Sequence, residues 1–194
     1  MALEVIHQGG DATTVPYGPL FDDIRKNRGF VDARGRPDIA AEIAEGDGSS
    51  ELRRLLIRIA EENLYFSLGC DLGMHPEPEA KVTLRRVAGG YVQVVGIDYS
   101  ALSTDDYDEF GNRVDRALRA RSQGRNWRLW LQGCYVNFNF AHQPAVLAPS
   151  MWLWFFAKAK TDGKAIEERE YLIATLSDVL HSARVSETLK AKAK

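Results

Sequence analysis

Cysteine is scarce in this chain: its 194 residues hold two, Cys70 and Cys134. Two are too few for a disulfide framework, so both are expected as buried thiols in a reducing, cytoplasmic setting. Neither sign of charge dominates. Twenty-five Lys and Arg stand against 27 Asp and Glu, a net charge of −2. That balance leaves no electrostatic footprint for nucleic acid. No apolar run approaches the roughly 20 residues of a membrane helix. The best run, Met151 to Ala157, has strand length, so no membrane partner is expected. The opening MALEVIHQGGD has no basic stretch followed by an apolar one, so no secretory signal is expected either.

Catalytic and metal motifs are missing as well. There is no CxxC, HExxH, calcium-loop or GxSxG pattern. Gly9-Gly10 and Gly89-Gly90 precede no helix start bearing Lys-Ser/Thr, so neither reads as a phosphate loop. Asp71, His75, Glu77 and Glu79 are permissible ligand types, but a single His among carboxylates on a Pro-containing stretch reads as a solvated loop. A thiol–imidazole pair would need Cys70 or Cys134 beside His75 or His142, and neither cysteine precedes a helix start that would activate it. Asp105, Asp106 and Asp108 read as helix-start charges, and Glu167, Glu168 and Glu170 as an exposed turn. No catalytic residue, cofactor or metal is therefore assigned, and a non-enzymatic role is expected.

What is present is an orderly succession of helical and alternating patterns. Residues 1–48 are punctuated by Pro16, Gly18, Pro19, Gly29, Gly35 and Pro37 and predict an irregular arm with short helices, one at 19–27 and one capped by Asp38. Residues 49–187 predict one α+β domain, and 188–194 a frayed basic tail. After a Ser49 or Ser50 cap, Leu52, Leu55, Leu56 and Ile59 predict a helix over 50–62. The period then becomes two, giving a strand at 63–70 and a loop at 73–79 around Pro76 and Pro78. Strands at 81–88 and 91–98 flank Gly89-Gly90 as a two-residue hairpin turn. A helix over 104–122 carries acids first and arginines last, matching the helix dipole. Its apolar stripe is Tyr107, Phe110, Val114 and Leu118.

Over 127–140 the apolar parity flips. Trp127, Leu129 and Leu131 share one parity, while Val136, Phe138 and Phe140 share the other. A hairpin turn at Gln132-Gly133 is the preferred explanation, and one long strand bulged at Gly133 is the alternative. A strand at 151–158 and a helix at 163–187, with Ile166, Ile173, Leu176 and Leu180 in line, complete the order. The fold class is α+β: a mainly antiparallel sheet of five or six strands with helices packed on one face.

The most distinctive feature is aromatic. All four tryptophans, and nine of the 19 aromatic residues, fall within 127–156. On strand 151–158, Trp152, Trp154 and Phe156 take one face and Met151, Leu153 and Phe155 the other, so both faces need cover. Trp130, Tyr135, Asn137 and Arg128 would share a face under the hairpin reading. Aromatic rings beside Arg and Asn suit interfaces and ligand pockets as well as cores. The candidate partner- or ligand-binding residues are Trp130, Tyr135, Asn137, Trp152 and Trp154. Self-association or a protein partner is expected, with a small-molecule-binding or enzymatic α+β domain with an aromatic and polar pocket as the rival.

With Trp127–Phe140 taken as one bulged strand, the order helix, three strands, helix, two strands, helix, carried by Ser50–Glu62, Leu64–Gly69, Val82–Tyr99, Thr104–Arg121 and Trp127–Leu180, is similar to the type III secretion chaperone-like fold. The resemblance implies a homodimer that holds protein segments on exposed apolar grooves and performs no catalysis. Chaperones of that type are usually shorter and more acidic, and this chain carries a long N-terminal extension.

Overall fold

The structure, a computed structural model, describes residues 2–7, 13–18, 29–62, 65–76, 86–96, 104–141 and 144–192. For 2–7, 75, 76, 104–110 and 182–192 the description is of the backbone. Strands β1 (Ala2–His7) and β2 (Thr13–Val15) come first, then a short helix α1 (Pro37–Ala41) and a 3-10 turn (Ala44–Gly48). Helix α2 (Ser50–Glu62), strands β3 (Tyr65–Pro76) and β4 (Arg86–Gly96), helix α3 (Thr104–Arg121), strands β5 (Trp127–Phe138) and β6 (Val146–Ala159) and helix α4 (Asp162–Lys192) follow.

The strands form one mixed sheet in the order β1-β5-β6-β4-β3. The β5–β6, β6–β4 and β4–β3 pairs are antiparallel. Along the outer edge of β5, β1 pairs in parallel with 128–133 and β2 with 136–138. The helices pack on one face. Leu52, Leu55, Leu56 and Ile59 of α2, Val114 and Leu118 of α3, and Leu172, Ile173, Leu176 and Leu180 of α4 bury against Leu129, Leu131, Leu153 and Phe155. Ser49 is the cap of α2, its Oγ accepting from the Leu52 amide at 3.0 Å. Ile166, expected in the α4 stripe, is instead 38% exposed.

Several sequence expectations are corrected. The segment before residue 49 is not merely an irregular arm, because β1 and β2 join the sheet. Its expected helix at 19–27 lies outside the described residues. Asp38 sits inside α1 beside Pro37 rather than capping it, and pairs with Arg36 at 3.0 Å. The loop expected from residue 73 begins later, since β3 runs to Pro76. The tail expected from 188 is helical through Lys192.

Gly89 and Gly90 are not a turn but the middle of β4. A Cβ on Gly89 would stand 2.6 Å from a Phe156 ring carbon, and one on Gly90 would stand 2.3 Å from the Asp71 carbonyl oxygen. The pair is needed for close approach, the second use of glycine in strands. The expected strand at 81–85 lies outside the described residues.

Nor is there a hairpin at Gln132-Gly133. β5 pairs with β6 in unbroken register from Trp127 opposite Ala157 to Phe138 opposite Val146, with no bulge. The parity flip has another cause. Trp127, Leu129 and Leu131 point into the helix-covered core. Val136 and Phe138 point the other way, into a second core with Val15, Phe66, Leu68, Val95 and Ala148. Tyr17, Phe30 and Phe140 pack against this second core. β6 flips at the same level, from Ala148 and Ser150 to Met151, Leu153 and Phe155. One sheet therefore buries opposite faces at its two ends.

Candidate functional site

The face opposite the helices carries the aromatic block. The pairings Tyr91↔Trp154, Gln93↔Trp152, Arg128↔Phe156 and Trp130↔Trp154 place these side chains together, because directly paired residues point to the same side. The indoles of Trp152 and Trp154 stack at 5.4 Å with 9° between their planes. The Tyr91 ring lies 4.6 Å from Trp152 and 4.7 Å from Trp154. Trp130 meets Phe156 edge-on at 5.0 Å, and the Arg128 guanidinium lies 4.6 Å from the Trp130 ring centre. All five rings are half-buried.

Sequence reasoning thus splits. Trp152 and Trp154 share one face, as their strand parity predicts, and the pairing of Trp130 with Trp154 brings Trp130 to the same face. Tyr135 and Asn137 do not join them. With β5 continuous, their odd positions project from the opposite face, where Tyr135 is 47% exposed. Tyr91 was not singled out, because reading Gly89-Gly90 as a turn detached it from Trp154. Trp127 lies on the helix side, with its ring 5.7 Å from Tyr171.

Where the buried face changes over, a polar row replaces apolar packing. Gln93 Nε2 donates to Ser150 Oγ at 3.0 Å, and the Ser150 hydroxyl and Cys134 thiol are 3.0 Å apart. Trp152 Nε1 donates to Cys134 Sγ at 3.1 Å, and Trp154 Nε1 donates to Gln132 Oε1 at 3.1 Å. These bonds fix two indoles in place and satisfy the fully buried Ser150. His142, the imidazole considered for Cys134, lies outside the described residues.

The aromatic face borders a cavity of about 240 Å³ at the β3 edge, and Tyr91 belongs to both. The cavity is walled by Ile39, Ile43, Glu42 and Glu45 from α1 and the residues after it, by 67–70 of β3, and by Tyr17 and Tyr91. Tyr17 Oη donates to the Leu68 carbonyl at 2.6 Å, at the point where β3 is bulged against β4. Burial raises the Tyr17 phenol above its ordinary value, and nearby Cys70 and Glu45 add to the effect. Burial likewise pushes Tyr91 up to about 12, assisted by Asp71. The Cys70 thiol is pushed well up by burial, then by Glu45. Such a thiol is held neutral, the opposite of an activated nucleophile.

Among the described residues no three or more His, Cys, Asp or Glu side chains gather in metal-binding reach. Of the loop set weighed from the sequence, only the Asp71 side chain is described, and its Oδ1 accepts from the Leu72 amide at 2.7 Å. No helix among the described residues is long and apolar enough to cross a membrane. No protein-family model, curated protein or solved structure matches the chain.

Proposed function

We propose that this chain is a non-enzymatic protein-binding module, chaperone-like in holding apolar surface without chemistry, that works in the cytoplasm as a homodimer joined through its aromatic sheet face. The observation that carries this reading is the cluster of Tyr91, Trp130, Trp152, Trp154 and Phe156 on the side away from the helices. Each ring remains half-buried despite its neighbours. Aromatic residues with an adjacent arginine match the composition of interface centres. A face held by β-pairing, with indoles anchored by Cys134 and Gln132, loses little side-chain freedom on association.

Sedimentation equilibrium of the full chain tests this. The expected mass is twice the 21.7 kDa of one chain. Trp152→Arg with Trp154→Arg is expected to give a monomer with unchanged helix content. Loss of one such anchor costs about 2 kcal/mol, roughly 30-fold in Kd. A wild-type chain that stays monomeric as its concentration is raised, and leaves its indole fluorescence unchanged, overturns the reading.

A further inference from the structure

The segment 13–18 lies on the sheet as a bound peptide would. β2 pairs in parallel with 136–138 on the outer edge of β5. It does not continue β1 in register: Thr13 follows His7 by six positions, while their partners Val136 and Gly133 differ by three. Val15 is fully buried in the second core and Tyr17 is half-buried against it, while Thr13, Thr14, Pro16 and Gly18 are exposed. Backbone bonds to a strand edge, with alternate side chains entering pockets, are the marks of peptide recognition by strand addition. We propose that residues 13–17 are an internal ligand. They form a strap that closes a strand-addition groove until an extended segment of another protein, with an aliphatic residue two before an aromatic one, displaces it.

The fastenings of the strap are generic. The Val15 carbonyl accepts from the Asn139 amide at 2.7 Å, and the Tyr17 carbonyl from the Phe30 amide at 2.9 Å. Tyr17 Oη donates to the Leu68 carbonyl at 2.6 Å. Every partner is a backbone group, so selection falls on the two inserted side chains. Among the described residues the second core holds no helix residue, so the strap can leave without disturbing the packing of α2, α3 or α4. Its departure bares Phe66, Leu68, Val136 and Phe138, an apolar floor for the incoming segment. Nor does the strap fill its groove. Tyr17 borders the cavity of about 240 Å³, far larger than the water-sized voids of a close-packed interior. A segment with a bulkier ring gains contacts that the strap does not make. A second copy of this chain offers only the same segment, without the roughly millimolar effective concentration that tethering gives the strap. The occupant is therefore a different protein.

Fluorescence anisotropy of the full chain with a labelled peptide copying residues 12–18 tests the proposal. The wild type is expected to bind it weakly, because apparent affinity falls with the fraction of chains whose strap is open. Tyr17→Phe takes one hydrogen bond from the strap and keeps its ring. It is expected to tighten peptide binding about two- to tenfold at unchanged helix content. Val15→Asp removes the buried anchor and is expected to tighten it further. A peptide with aspartate in place of its valine should not bind, and one with tryptophan in place of its tyrosine should bind more tightly than the copy. Trp152→Arg with Trp154→Arg should leave peptide affinity unchanged, so failure of the self-association reading leaves this result standing. Protection of the Asn139 amide from exchange should not depend on the concentration of that double variant. Protection that grows with its concentration would give the groove to a second copy and overturn the choice of occupant. Peptide binding no tighter to Tyr17→Phe than to the wild type, indifferent to the aspartate, or weaker with tryptophan would overturn the proposal.

Discussion

Cys70 and Tyr91 show how burial, reinforced by nearby acidic groups, sets the behaviour of a side chain. Both are held neutral in the fold, and both have pKa values raised above those of an unfolded chain. A group whose folded pKa is raised stabilises the fold fully below its unfolded pKa and loses that contribution as pH rises toward the folded value. Urea stability should therefore be flat near neutrality and decline from about pH 9, the ordinary value of Cys70. The decline continues between 10.0 and about 12 as Tyr91 ionises in the unfolded chain first. Tyr91→Phe should flatten the upper part of that decline, and an absorbance titration at the tyrosinate band should lose its latest-titrating component. A stability curve that rises between pH 9 and 11 would contradict the burial of both groups.

At the level of single elements, β4 is the sharpest test. If it passes straight between β3 and β6, Gly90→Ala must displace the Asp71 backbone, because the new Cβ would sit 2.3 Å from that carbonyl oxygen. Overpacking of this kind costs about 1–3 kcal/mol, and more where backbone must move. At a hairpin turn with positive φ the alanine would also be unfavourable. Gly89 and Gly90 are not among the positive-φ glycines, however, so the two cases separate by rescue. Leu72→Ala should partly restore Gly90→Ala, since Leu72 Cδ2 is the next atom in the way at 2.9 Å. Thermal melts of the single and double variants measure it.

The same elements show what the sequence could carry. The α2 stripe was legible because Leu52, Leu55, Leu56 and Ile59 all meet one core, and a helix advertises its buried face locally. The glycine pair misled because close approach and tight turning call for the same residue. β5 misled because a strand that changes its buried face produces the parity flip of a hairpin. That error alone moved Tyr135 and Asn137 onto the aromatic face. β1 and β2 were missed because their partners on β5 are more than 120 residues away in sequence, and no local pattern records a parallel pairing. The cavity was invisible for a related reason: its walls come from residues 17, 29–45, 67–70 and 91, which no spacing rule connects.

For the whole molecule, the arrangement of two cores on opposite sides of one sheet is the governing fact. Leu153, fully buried, belongs to the helix-side core, and Phe138, 2% exposed, belongs to the other. Leu153→Ala should cost about 2–5 kcal/mol and Phe138→Ala about 3–5. Their footprints in hydrogen exchange should differ. Phe138→Ala is expected to speed exchange at 13–15, 66–68 and 136–138 while 127–131 stays protected. Leu153→Ala should do the reverse, and indistinguishable footprints would mean a single undivided core.

The polar row of Gln93, Ser150 and Cys134 lies where one core ends and the other begins. It acts as a seam. Hydrogen bonds there hold the strands in register but add little apolar glue between the two halves. The N-terminal strand β2 and Tyr17 are fastened beyond that seam, and the stacked indoles lie just on the near side. A molecule built this way can loosen the end that holds β2 and the second core as a separate cooperative unit while the helix-backed end, and the aromatic face it supports, keeps its shape.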